Sequence, residues 1–379
     1  MWANVHNIYR LINSSYNKQR NPEIFSNAYF NLDSLTKEKR INIVIPFWSF
    51  RREDKYIANI KYQRLFNRLD RIISRGNVGE LISSSTFALV DYFIKESKNI
   101  IRKRNFIAAF FSNDLGFFDR LFIDIFKQLD ILTFIFLHGL PGRYNSIDDN
   151  RADYLTVWGN QIKQNYIDKG VKEDKIIVSG HPLYKKEISS AELRFDLKDI
   201  VVLSRSISGS PSSSNQEYID NRGTCIIYLL IIKDCLMKFG VPNIKLRLHP
   251  SENPRWYSKH LNDSFFKIDS MSLSELLKSS SLVIGPTSTV FLEALYYGVN
   301  YIVFEPIHSK NSLVNPFDGS NQKIPVAKSE NDLFHFLKNK IAVKRSVFSE
   351  YIRPDYNFDK ILEIIQGDIR EYENLKSAI

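Results

Sequence analysis

Three short stretches of this chain gather residue types able to handle a proton or a phosphate. Leu137-His138-Gly139-Leu140-Pro141-Gly142-Arg143-Tyr144 sets a histidine at the mouth of a glycine- and proline-rich turn. Histidine side chains ordinarily titrate near neutrality, which makes one exposed in such a turn a candidate general base. Asp114, in the polar turn Ser112-Asn113-Asp114-Leu115-Gly116, either orients His138 or is the base itself, and both residues equally fit a structural role at a strand end. The second stretch is Arg247-Leu248-His249-Pro250. In a strand Arg247 and His249 point to one side, and the proline stops the strand so that the imidazole stands at its rim. Two donors aimed together suit a diphosphate or a departing phosphate; the alternative is a rim histidine bonded to a loop.

The third stretch, residues 281–306, reads as a buried strand, a polar turn, a helix and a second buried strand. Its Thr287-Ser288-Thr289 triplet caps the helix, and a helix N-terminus offers free N–H groups and partial positive charge to an anion. Thr289 and Glu293 lie four residues apart and share a face, so a hydroxyl can meet a phosphate while the carboxylate accepts hydrogen bonds from a ribose. A capped helix with a solvated glutamate fits the same pattern. Ser204-Arg205-Ser206 opens a Ser/Gly/Pro loop that can close the pocket from a neighbouring strand end. No DxD, HxxxH or HExxH spacing offers a metal a place between strands and phosphates. The expectation is a site without metal or other cofactor, in which helix N-terminus, hydroxyls, Arg and His stabilise the leaving phosphate.

The elements that must hold these residues alternate. Strands are expected at 41–46, 87–90, 106–111, 131–137, 154–158 and 176–178, with helices over 55–75, 91–103, 117–129 and 161–169. After a charged, weakly periodic stretch the alternation resumes. Strands fall at 200–203, 244–248, 265–268, 282–285, 301–304 and 323–327, and helices at 217–239, 273–278, 289–297, 330–341 and 357–375. Such alternation predicts an α/β protein of mostly parallel sheets covered on both faces. The expected division is a Rossmann-like domain over 1–182, a linker over 183–198 and a second Rossmann-like domain over 199–379. Residues 1–40, polar and irregular, receive no role. His181-Pro182 is a second His-Pro pair, which hinge geometry explains equally well.

At 379 residues two domains are the default, and 44% hydrophobic with 25% charged residues is ordinary for a globular protein. No apolar stretch reaches membrane-spanning length and none opens the chain as a signal peptide, so a cytoplasmic protein is expected. The two cysteines, Cys225 and Cys235, fall in one expected helix and read as core residues. A net charge of +10 favours anionic partners. The basic segment 51–75 is the expected carrier of any association with anionic lipid, and no nucleic-acid signature accompanies it.

With these residues in place the chain resembles the GT-B glycosyltransferases, which have two facing Rossmann-like domains and hold the donor mainly in the second. The pairing of His249-Pro250 with Ser288-Thr289 is similar to that of bacterial sialyltransferases and polysialyltransferases, which use CMP-sialic acid. That resemblance implies that His249, Ser288 and Thr289 bind the CMP phosphate, and that the turn at 138–144 carries the base where those families have an acid. A His-Gly turn there instead resembles CDP-glycerol transferases and capsule Kdo transferases. The likeness spans about 106–306 and implies an inverting, metal-independent transfer of a sugar, foremost a sialic acid or related nonulosonate, to a glycan or lipid-linked glycan acceptor in lipopolysaccharide or capsule. A UDP-sugar, glycerol-phosphate or Kdo transferase, or a non-catalytic nucleotide-binding subunit, remains the alternative.

Overall fold

The computed structural model describes residues 21–30, 32, 40–46, 60–141, 144–184, 192–205, 215–250, 252–261, 264–306, 317 and 319–367. The chain divides into two compact units, one of residues 1–138, 144–183 and 355 onward, the other of 139–143 and 184–354. Each is built on a six-stranded, all-parallel sheet.

The first sheet runs β2 (Asn42–Val44), β1 (Glu23–Asn27), β3 (Phe106–Phe111), β4 (Thr133–Phe136), β5 (Tyr154–Val157) and β6 (Ile176–Val178). Its central strands β3 and β4 are near-continuous apolar runs because both faces are covered. β1 corrects the expectation for residues 1–40. EIFSN has only two apolar residues, yet both are fully buried, and Phe25 packs on Phe111, Phe122 and Phe126 at 5.0–5.6 Å. Glu23 is tolerated at the strand start because the Arg104 guanidinium donates to both its carboxylate oxygens, at 2.7 and 2.8 Å.

The helices of this unit are α1 (Ile60–Arg75), α2 (Val78–Leu81), α3 (Ser84–Arg102), α4 (Phe117–Lys127) and α5 (Asn160–Ile167). A second correction concerns 87–90, expected as a strand and found inside α3. A four-residue apolar run does not choose between strand and helix by itself. Here Ser83 caps the helix by accepting from the Thr86 N–H at 3.2 Å, and Leu89, Phe93, Ser97 and Ile101 face inward at four-residue intervals.

The second sheet runs β12 (Val326–Ala327), β11 (Asn300–Phe304), β10 (Leu282–Gly285), β7 (Ile200–Leu203), β8 (Ile244–Arg247) and β9 (Phe266–Ile268). Its helices are α6 (Asn215–Met237), α7 (Pro254–His260), α8 (Leu273–Ser279), α9 (Val290–Tyr296), α10 (Glu330–Lys338) and α11 (Val347–Tyr351). Val202, Leu246, Ile284 and Ile302 from four adjacent strands share one core with Tyr228, Leu229 and Ile232 of α6, where the buried Cys225 and Cys235 also lie.

The chain boundary differs from the expected one at two places. The later part of the expected linker is bound into the second unit: the Arg194 guanidinium donates to the carbonyls of Lys278, Leu277 and Tyr297 at 2.7–3.0 Å, closing the C-terminal turns of α8 and α9. Residues 355–367, expected in the second domain, pack with the first unit. The Asn357 N–H donates to the Ser179 carbonyl at 2.7 Å, the Phe358 ring lies 6.2 Å from that of Phe110, and Gly180 (φ +77°) approaches the Asp355 backbone so closely that no Cβ would fit. The expected final helix is seen at 359–367; its remainder lies outside the described residues, as do 51–59 of the basic segment, Gly142, Arg143, 206–214 of the Ser/Gly/Pro loop and most of 311–321.

Candidate functional site

Parallel strands end together, so every residue that follows a strand of the second unit stands on one edge of its sheet. From β7 the chain moves outward through β8 and β9, then returns to the other side of β7 as β10 and continues to β11 and β12. The order reverses between β7 and β10, and such a reversal leaves a crevice beyond the carboxyl ends of the two strands. A cleft of about 580 Å³ lies there. Ser204 and Arg205 enter it from β7, Arg247 and His249 from β8, Thr287, Ser288 and Thr289 from β10, and Glu305 from β11. Leu203, Leu248, Pro250 and Leu273 give it apolar walls.

Seven of the eight residues expected at the donor site therefore line one cleft; the exception is Glu293. Its carboxylate is largely buried against the Tyr184 hydroxyl, burial raises its pKa, and it does not line the cleft. The expected pairing of Thr289 and Glu293 fails because Thr289 is the N-cap of α9 with its side chain turned elsewhere. Its hydroxyl accepts the Leu140 N–H at 3.0 Å, fastening the 140–141 turn to the cleft wall. Glycine at 139 eases that approach, since a Cβ there would stand 3.0 Å from the Thr289 hydroxyl and one of the two would have to yield. Ser288, not Thr289, supplies a local bond at the helix start, accepting from the Val290 N–H at 3.2 Å.

Glu305 was not anticipated, and it organises the cleft floor. One carboxylate oxygen accepts the Thr287 N–H at 2.7 Å and the other accepts from the Arg205 guanidinium at 2.7 Å, so a single buried side chain ties the turn after β10 to that after β7. The only signal in the sequence was a lone acid directly after an apolar strand, Val303-Phe304-Glu305-Pro306. Arg205 is thus already neutralised. Arg247 has no carboxylate partner among the described residues and donates to the Met271 carbonyl at 2.5 Å. Ser204 is committed to architecture, because its hydroxyl donates to Glu252 and accepts the His249 N–H at 3.0 Å. Glu252 also takes the His249 N–H, at 2.8 Å, which fixes the backbone of the His-Pro turn and leaves the imidazole exposed on the rim. Among the described residues no group of three or more His, Cys, Asp or Glu is placed to hold a metal ion.

In the first unit the order reverses between β1 and β3. Ser112 follows β3, Tyr29 follows β1 closely, and His138 stands just beyond β4. The Trp158 indole N–H donates to the Leu137 carbonyl at 3.0 Å and steadies the strand end before His138. The His138 Nδ1 lies 3.1 Å from the Ser112 carbonyl, with the Tyr29 ring 6.1 Å away. A carbonyl only accepts, so Nδ1 carries the hydrogen, and in the neutral ring Nε2 is left with the lone pair. Asp114 does not orient His138. It is fully buried, and its oxygens accept the N–H groups of Asp149 (2.8 Å) and Arg151 (3.1 Å), shaping the turn at 148–151. Two other carboxyls near this edge escaped the sequence reading. Burial raises Asp119 to about 6 despite a 2.7 Å bond from the Asn27 amide, and burial also raises Asp149, on which the neighbouring His138 acts in the opposite direction.

No protein-family model matches the sequence, and no curated protein does. Solved structures do match its architecture. S. aureus MnaA with UDP aligns over 94% of this chain and 98% of its own at 13% identity and a TM-score of 0.54. A putative UDP-N-acetylglucosamine 2-epimerase from Listeria monocytogenes aligns over 93% and 98% at 12% identity and 0.55, and the UDP-GlcNAc 2-epimerase of Neisseria meningitidis bound to UDP-GlcNAc over 92% and 99% at 12% and 0.52. The chain has the GT-B fold. At such identities the likeness speaks for the fold alone, with two Rossmann-like units of parallel sheet as the sequence pattern had implied.

Proposed function

We propose that the chain is a nucleotide-sugar enzyme of the GT-B class, an inverting glycosyltransferase whose second unit holds the donor. One observation carries this reading: Arg205, Arg247, His249 and the Thr287–Thr289 turn converge from three strand ends on one cleft at the point where the strand order reverses. Cations, hydroxyls and backbone donors in that position suit the phosphate of a nucleotide, and the apolar walls suit its base.

The acceptor hydroxyl attacks the anomeric carbon while the bond from that carbon to the phosphate oxygen breaks. The electron pair leaves with the phosphate, whose charge Arg247 and His249 stabilise. The hydroxyl proton passes to Nε2 of His138, which the Ser112 contact leaves with its lone pair. Among the described residues that line the cleft Glu305 is the only carboxylate, and both its oxygens are engaged, which leaves it unsuited to be the nucleophile of a double displacement. Single displacement inverts the anomeric centre. Within this class the pairing of His249-Pro250 with Ser288-Thr289 favours a CMP-linked nonulosonate, and a surface glycan as acceptor. A second reading, a UDP-sugar on the same cleft, is supported by the UDP and UDP-GlcNAc held in two of the solved structures of this fold.

The test is release of free nucleotide from CMP-, UDP- and CDP-linked donors, with and without glycan acceptors, in buffer containing EDTA. CMP release that survives EDTA is expected. Turnover of UDP-sugars alone moves the assignment to the second reading, and failure to bind any of the nucleotides refutes the donor site.

A further inference from the structure

Helix α1 carries a second chemical pattern that the cleft does not use. Lys61, Arg64, Arg68, Arg71 and Arg75 follow one another at intervals of three, four, three and four residues, and all five are exposed. At about 100° per residue they fall within a sector of about 80° and form a stripe about 21 Å long. Tyr62, Phe66 and Leu69 make the buried stripe on the other side and pack the helix onto its unit; the Tyr62 ring stacks on that of Phe93 at 5.1 Å. Asp70 lies outside the cationic sector. Among the described residues only Arg75 has an acidic partner, Glu80 at a loose 3.8 Å, and the other four cations have none.

Where the stripe ends, the short helix α2 and the start of α3 expose apolar side chains. Val78 is 69% exposed, Ile82 67% and Phe87 59%. A helix with one cationic face, followed directly by an unburied apolar tip, combines the two features that hold a protein at a charged bilayer: attraction to anionic headgroups, and apolar groups for the acyl boundary. A nucleic acid would use the cations but gain nothing from Val78 and Ile82.

We propose that the α1 stripe together with Val78, Ile82 and Phe87 is a docking surface for an anionic phospholipid bilayer. Each cation contributes a factor of about five in partitioning, so loss of four weakens binding by at least about 100-fold. The surface lies in the unit that carries His138, and the proposal does not depend on which donor the other unit takes.

The test is co-sedimentation of the full chain with phosphatidylcholine vesicles with and without phosphatidylglycerol. Binding is expected only with the anionic lipid, at low salt, and reversed by high salt. Arg64→Gln/Arg68→Gln/Arg71→Gln/Arg75→Gln abolishes it with the far-UV spectrum unchanged, whereas four Arg→Lys replacements at the same positions retain it. Val78→Ser/Ile82→Ser weakens it by roughly tenfold. Four results would overturn the proposal: no binding at low salt; undiminished binding by the glutamine variant; an equal loss from Lys259→Gln/Lys267→Gln on the other unit; or binding of single-stranded RNA that displaces vesicles and ignores the Val78/Ile82 change.

Discussion

Replacing Arg247 and Arg205 one at a time by methionine separates a ligand-binding cation from an architectural one. Arg247 lines the cleft, and among the described residues its guanidinium is held by the Met271 carbonyl and by no carboxylate, so its charge is available to an incoming phosphate. At about 4 Å and an effective dielectric near 20 the bare attraction is about 4 kcal/mol, and charge-assisted hydrogen bonds contribute about 1.5–3 kcal/mol net. Arg247 is partly exposed, so the lower part of that range applies. A loss of about 2 kcal/mol corresponds to roughly 30-fold weaker binding of the nucleotide. Arg205 already spends its charge on Glu305, at 2.7 Å. Its removal strands a buried carboxylate, which costs about 3–5 kcal/mol in a fully buried pair and less here, since Arg205 is 21% exposed. Arg205→Met should therefore lower Tm by roughly 5 °C while affecting nucleotide affinity less than Arg247→Met does. Titration calorimetry with CMP and UDP, paired with thermal unfolding of each variant, reads both quantities. If Arg205→Met weakens nucleotide binding as much as Arg247→Met, with Tm unchanged, the division of labour drawn from Glu305 is wrong.

His138→Ala should depress turnover by roughly 10²- to 10⁴-fold and leave nucleotide affinity unmoved, since the cleft residues belong to the other unit; parallel loss of both in single-turnover and binding measurements would make the histidine a donor ligand. Asp114→Asn is the contrast, because the N–H groups of Asp149 and Arg151 lose an anionic acceptor: its main effect should be a lower Tm, and full stability with abolished turnover would restore Asp114 as the base. His181, between the rings of Phe30 and Trp158 with Nδ1 accepting the Leu183 N–H, is pushed by burial down to about 3. The folded state then binds fewer protons than the unfolded one between pH 6.5 and 3, so the contribution of neutral His181 is full above pH 6.5 and drains as pH falls. His181→Phe should flatten the acid limb of stability against pH, and an unchanged slope in denaturant titrations across that window would count against the assignment.

The cleft was legible because its residues sit in single-residue relation to strands the sequence marks strongly. His249 stands two residues past Arg247, the last residue of β8, and Thr287 two past Gly285, the last of β10, so identifying the strand already places the side chain at the sheet edge. What escaped were partners, not positions. That Glu305 reaches across to the Thr287 N–H and Arg205 depends on strand order, because β11, β10 and β7 are neighbours in space although about 80 residues separate β7 from β10 in sequence. The misplaced Glu293 has the same origin, since helical spacing relates it to Thr289 but says nothing of Tyr184, which burial of the carboxylate selects. In the first unit the loss was larger. β1 lacks the alternation or apolar run that announces a strand, and its place beside β3 comes from tertiary packing around Phe25 and from the Glu23–Arg104 pair. Missing β1 also concealed the reversal between β1 and β3, and with it Tyr29, Asn27 and Asp119. Asp119 keeps a carboxyl where burial disfavours its charge, on an edge that also presents the basic Nε2 of His138.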